Sequence, residues 1–239
     1  MRQLIIVILL VISSGAVTAQ ADENPWQKVT SESNQLKRKL TGKKFYVTSM
    51  PRGTVFLHDT YLPVRLTLED GEVYDSVMAR YNSYLDELVC FNDNINTLFT
   101  IDKYLVKEFE VVSPVYGYQK FRKIKFDKAP KDDRFFQVVY EGNIILLAFY
   151  KTIESKTSLY KDEFGILRDT EYALTETFYT YSPDEGLNRF YPYKSTFLKM
   201  YNANKSQVRQ ILRKNKISNF NIKGLQSAFS LIEQAGITQ

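Results

Sequence analysis

The sequence predicts an α+β protein, predominantly antiparallel β, with a C-terminal helical hairpin packed on the sheet. Short runs rich in Val, Ile, Tyr, Phe and Thr recur between turn residues from residue 44 onward. Asp-Gly and Gly-Asn hairpin chemistry separates several of those runs. Helical spacing of apolar residues is confined to the C-terminal part. No Gly-rich phosphate loop opens a helix, and strands do not alternate with long helical patterns. Both absences argue against a parallel nucleotide-binding sheet. The body reads as a meander, free to curl into a sandwich or a barrel-like form.

Taken in order, residues 1–20 read as a signal peptide. Arg2 supplies a basic start, an unbroken Ile/Leu/Val run covers 4–12, and Ser13-Ser14-Gly15 breaks it. Val17-Thr18-Ala19 and Ala19-Gln20-Ala21 both fit the small-x-small cleavage rule. A retained anchor is the alternative, but the run falls short of the roughly 20 apolar residues needed to cross a bilayer. Residues 21–43 read as a polar leader, with a peripheral helix as the alternative. The β domain, 44–193, contains predicted strands at 53–58, 63–68, 72–80, 84–91, 97–101, 105–112, 116–126, 134–140, 144–152, 171–181 and 187–193. Glu69-Asp70-Gly71, Glu141-Gly142-Asn143 and Ser182-Pro183-Asp184-Glu185-Gly186 are the clearest hairpin turns. In the C-terminal segment, 194–239, Val208, Ile211 and Leu212 share one helical stripe. Ile222, Leu225, Phe229 and Ile232 share another, ended by Gly236. Each stripe is too narrow to stand alone, so the two helices should pack on the sheet.

Composition removes whole classes of chemistry. The 239 residues hold one His and one Cys against 17 Tyr and 16 Phe. His58 and Cys90 alone cannot build a Cys/His metal site or a disulfide framework, so no cofactor is expected. Cys90, inside Leu88-Val89-Cys90-Phe91, reads as a buried small hydrophobe, with an intermolecular disulfide as the alternative. Loss of residues 1–20 removes one cation, leaving 31 basic against 27 acidic side chains, a net +4. That excess is too mild to argue for nucleic acid.

Several segments together resemble a group of uncharacterised exported β-rich proteins of Bacteroidetes. They are Gly53-Thr54-Val55-Phe56-Leu57, the Asp70-Gly71 turn, and Arg80-Tyr81-Asn82 leading to Asp86-Glu87-Leu88. The turn at Glu141-Gly142-Asn143 and the Lys-rich helix pair over 194–232 fit the same group. The likeness covers roughly residues 53–232, and the Arg-Tyr-Asn block is its most specific part. It implies an envelope location, periplasmic or associated with the outer membrane, and supplies no catalytic residues.

Motifs for catalysis are weak. His58-Asp59 lacks the further histidines of a metal phosphohydrolase, and no Gly-x-Ser-x-Gly elbow accompanies it. Carboxylate pairs such as Asp132-Asp133, Glu108/Glu110 and Glu171/Glu176 could serve a metal-independent polysaccharide hydrolase. With 27 acids in the chain, such pairs also arise by chance. An outer-membrane barrel is disfavoured by charges on both parities of many strands.

Two features suggest binding. Tyr179 and Tyr181 share a strand face, as do Tyr191 and Tyr193, and a suitable register would join them into an aromatic platform. From 187 to 232 there is no Asp or Glu but nine Lys and Arg. Lys205, Arg209, Arg213 and Lys216 fall in one helical sector, and cations at 120, 122, 123 and 125 could extend the patch. The sequence therefore predicts a non-enzymatic binding or scaffold module of the envelope. Its expected partners are an envelope protein, an anionic glycan or lipid head groups, with no membrane span after signal cleavage. Oligomeric state stays open.

Overall fold

A computed structural model describes residues 51–92, 96–126 and 133–238. The predicted signal segment and polar leader lie outside the described residues. Strands β1 Leu62–Leu68, β2 Val73–Asn82, β3 Glu87–Asn92, β4 Thr97–Thr100 and β5 Val106–Ser113 form the first half of the chain's sheet. The second half is β6 Gly117–Lys125, β7 Asp133–Glu141, β8 Ile145–Lys161, β9 Leu167–Ser182 and β10 Gly186–Phe190. The order is β10-β9-β8-β7-β6-β5-β1-β2-β3-β4, every ladder antiparallel. Two meanders, β1–β4 and β5–β10, thus lie side by side. The β1·β5 ladder joins them, with Val64 opposite Val111 and Leu66 opposite Phe109.

Alternation explains which face is buried. In β1, Val64, Leu66 and Leu68 are buried while Arg65 points to solvent, the period of two that a half-buried strand requires. Asp75 and Ser76 together oppose Arg65, a bulge that holds Ser76 at φ 58°.

The sheet curls strongly but does not close. In sheet order β2 and β8 are separated by four strands, yet the β2–β3 turn touches β8. There the Ser83 and Thr152 hydroxyls lie 2.7 Å apart, and the Tyr84 hydroxyl donates to Glu154 at 2.8 Å. Around the middle of the curl Tyr81, Phe109, Phe121 and Phe135 form a buried aromatic nest. Phe109 and Phe121 stack at 4.6 Å, and Phe135 meets Phe109 edge-on at 5.2 Å. Such pairs add about 0.5–1.5 kcal/mol each beyond the area they bury.

Residues 53–58 do not form the predicted first strand. Only Phe56 among them makes a bridge, with Asn82, while Arg52 just before them bridges Glu171, and Leu57 N–H donates to the Tyr81 carbonyl at 3.0 Å. A segment that serves β9 and then β2 has no single neighbour with which to hold register.

The Arg-Tyr-Asn block is a knot of buried polar contacts. Arg80 donates twice to the His58 carbonyl, at 2.8 and 3.0 Å, and its guanidinium lies 3.9 Å over the Phe56 ring. The Tyr81 hydroxyl donates to Asp86 at 2.5 Å. The Asn82 side chain accepts from the N–H groups of Tyr84 and Leu85, both at 3.1 Å, which shapes the turn. Asp86, at φ 60° and 3% exposed, also pairs with Lys103 and accepts from Phe135 N–H at 3.2 Å. Burial raises the Asp86 pKa, against the opposing pull of Lys103.

Three helices follow the sheet rather than the expected two: α1 Lys194–Met200, α2 Lys205–Lys214 and α3 Ile222–Gln234. Phe197 and Leu198 of α1, Val208 and Leu212 of α2, and Leu225, Ala228, Phe229 and Ile232 of α3 join the main core. Phe229 stacks on Tyr140 of β7 at 5.5 Å and meets Phe190 of β10 at 6.3 Å. Glu233 of α3 clasps the β7–β8 turn, accepting from the Tyr140 hydroxyl and, at 3.0 Å, from Asn143 N–H. Gly142 leaves room for this clasp, because a Cβ would lie 2.8 Å from a Glu233 carboxylate oxygen and that side chain would have to move aside. No described helix is long and apolar enough to cross a membrane.

Candidate functional site

The two tyrosine pairs occupy different settings. Tyr179 and Tyr181 lie on the sheet face opposite the helices. There Phe136 and Leu147 are buried at the centre of a second cluster that also takes in Phe126, Phe149 and Leu187. Tyr179 meets Phe136 edge-on at 5.7 Å and Phe126 at 6.0 Å. The hairpin register puts Arg189 opposite Tyr179 and Leu187 opposite Tyr181, so phenol does not face phenol. The ladder stops at Phe190, leaving Tyr191 and Tyr193 beyond it, 49% and 65% exposed. Tyr191 keeps the parity of Arg189, whose guanidinium sits 5.0 Å from its ring. Tyr193 is the N-cap residue of α1. The outcome is a half-buried Tyr179/Tyr181/Leu187 patch with Arg189 and Tyr191 at its border.

The basic helix is close to the expectation. Val208 and Leu212 turn α2 into the core, while Lys205, Arg209 and Arg213 are exposed. None of the three forms an ion pair with a described carboxylate. No acid exists between 187 and 232 to neutralise them locally. Lys216 departs from the predicted sector, because the helix ends before it. Asn215 is the C-cap, and Lys216 takes a left-handed conformation at φ 56°. Its N–H donates to the Arg213 carbonyl at 3.1 Å, and Ile217 N–H donates to Leu212 at 2.9 Å. This paired closure normally recruits glycine, as α3 does with Gly236 at φ 67°.

Three of the four strand cations are already paired on the sheet. Lys120 lies 3.1 Å from Glu108 and 3.7 Å from Glu110, while Arg122 pairs with Glu108 at 3.6 Å and Glu141 at 2.8 Å. Lys123 reaches Glu69 at 2.7 Å. The pairs with Glu108 and Glu110 follow from the cross-strand register, which sets Glu108 opposite Arg122 and Glu110 opposite Lys120. Hydrogen bonding to Arg122 lowers the Glu141 pKa. Glu108 and Glu110 do share a face, but basic partners occupy both. Glu171 and Glu176 stand on opposite faces of β9, five residues apart in a period of two. Asp132 lies outside the described residues.

His58 is 4% exposed, and its Nε2 lies 2.7 Å from the Gln119 side-chain oxygen. Burial lowers its pKa from the ordinary 6.5, with the Gln119 hydrogen bond opposing. Cys90 is a free buried thiol, and burial pushes its pKa up, away from the thiolate form needed for reactivity. Among the described residues no group of three or more His, Cys, Asp or Glu side chains could hold a metal ion.

Sequence reasoning passed over the β8–β9 arm. At its tip the Asp162 carboxylate accepts from Phe164 N–H at 2.9 Å, Ile166 N–H at 2.8 Å and Arg168 Nε at 2.9 Å. The turn displays Phe164 at 79% exposure. The signal was present in Asp162-Glu163-Phe164-Gly165, a turn sequence with Gly165 at φ 75°. No protein-family profile, curated protein or solved structure matches the chain.

Proposed function

We propose that the chain is an exported envelope protein that works by binding, with α2 as its contact for anionic groups. The observation that carries this reading is the row Lys205, Arg209 and Arg213, exposed, mutually adjacent and unpaired with any described carboxylate. Successive i, i+4 spacing puts the three cations along one helix face, where like charges repel. An external anion relieves that repulsion. Lipid head groups and acidic glycans are the anions an envelope supplies, and the predicted signal segment supports that location. Lys216 adds a fourth cation just past the helix end.

Each cation near an anionic surface contributes about 1 kcal/mol, so removing three should weaken binding by about two powers of ten. The test is co-sedimentation of the full chain with phosphatidylethanolamine/phosphatidylglycerol vesicles, with heparin as the glycan probe. Lys205→Gln/Arg209→Gln/Arg213→Gln should lose binding at low salt, and added salt should weaken the parent chain likewise. Equal binding by parent and triple variant would overturn the proposal.

A further inference from the structure

We infer that the cavity between the β7–β8 turn and the C-terminal helix is a binding site for a small organic ammonium group. It has a volume of about 220 Å³, with Tyr140, Tyr201, Phe229, Ile144 and Ile237 in its walls and Glu233 as its only charged residue among the described residues. Drug-sized pockets span about 300–1,000 Å³, so this one suits an alkylamine or a single side chain.

The chemistry of the lining selects the charge. Glu233 forms no ion pair with a described cation, although the surrounding C-terminal segment is rich in Lys and Arg. Its carboxylate accepts from the Tyr140 hydroxyl and Asn143 N–H. A carboxylate has about four lone-pair sites, so acceptor capacity remains. Tyr201 is 4% exposed, and its hydroxyl has no hydrogen-bond partner among the described residues. Burial is also what pushes its phenol up to about 12, so it stays protonated and neutral.

Three aromatic rings, one carboxylate and a spare hydroxyl acceptor form the environment that attracts an ammonium through both ring faces and charge. An anion would meet Glu233. A neutral alkane would leave the carboxylate and Tyr201 unused. The preference is opposite in sign to that of α2, so this inference stands apart from the function proposed above.

The test is methyl-detected NMR on the full chain, titrated with n-butylamine, n-butanol, butyrate and Nα-acetyl-lysine methylamide. n-Butylamine should give saturable shifts of the Ile144 and Ile237 methyls, and butyrate none. Glu233→Gln should weaken the amine at least tenfold. Because that change also alters the clasp on the turn, Ile144→Trp serves as a second variant, filling the cavity while retaining Glu233. It should abolish the Ile237 shift. Binding of the lysine derivative as well supports a partner's side chain as the source, and n-butylamine alone supports a free amine. Equal affinity for n-butanol and n-butylamine would overturn the inference. So would the absence of saturable shifts in a chain that still melts cooperatively.

Discussion

Replacing Lys216 by glycine should stabilise the protein. Lys216 holds φ 56° at the residue that closes α2. A left-handed conformation costs an L-residue about 1–2 kcal/mol, because Cβ crowds the following carbonyl. Glycine avoids that clash but loses about 0.5–1 kcal/mol more backbone entropy on folding. The balance favours Lys216→Gly by about 0.5–1 kcal/mol, with both closing hydrogen bonds retained. For a domain of this size that is a rise of about 1–4 °C in Tm. Urea titration followed by circular dichroism should show a higher midpoint at unchanged slope. Lys216→Ala removes the charge but keeps Cβ, and should show no comparable gain. A lower midpoint for glycine, or equal gains for glycine and alanine, would refute the strain argument. Vesicle binding by the alanine variant measures the lysine's charge separately from its backbone.

Asp86→Ala should cost about 3–5 kcal/mol, since it strands Lys103 and the buried Tyr81 hydroxyl and puts alanine at φ 60°. Asp86→Asn keeps an acceptor and tolerates that backbone, so its urea midpoint should fall less. His58 is held with a lowered pKa, so the unfolded chain binds more protons just below pH 6.5. Stability from this group is therefore complete above pH 6.5 and is lost as pH falls towards the lowered value. Tm measured from pH 5 to 8 should show that decline, and His58→Gln should flatten it. Gly142→Ala should cost about 0.5–1.5 kcal/mol, the worth of a hydrogen bond lost as the Glu233 carboxylate is pushed off the turn, read as a slightly lower melting temperature.

The parts of the fold legible in the sequence are those where one face is buried and the turn is local. Val64, Leu66 and Leu68 announce β1, and Gly71 at φ 87° does what Asp70-Gly71 promised. The outer part of β8, beyond residue 152, and the start of β9 before residue 171 escape such reading, because Glu154, Ser155 and Lys156 carry no apolar alternation. There the pairing rests on ladder hydrogen bonds rather than on burial. Residues 53–58 look like a strand because they are apolar, yet burial in a crossover demands apolar residues just as much. At the candidate site, Arg209 and Arg213 followed from helical spacing alone. Lys216 did not, because a 100° rotation applies only while the helix lasts. The tyrosine platform depended on where β10 stops, and no residue after Phe190 signals that end except Pro192.

The joining of two meanders through β1 and β5 has a kinetic meaning. Every other ladder in the sheet links strands consecutive in sequence, so each can form as a hairpin with a short closure. The β1·β5 ladder alone must enclose the whole β2–β4 excursion before its first contact, the kind of non-local pairing that slows folding. The search entropy of this topology is thus concentrated on one seam. Val64, Leu66, Phe109 and Val111 line that seam on the buried face, and they are the side chains on which the folding rate should chiefly depend.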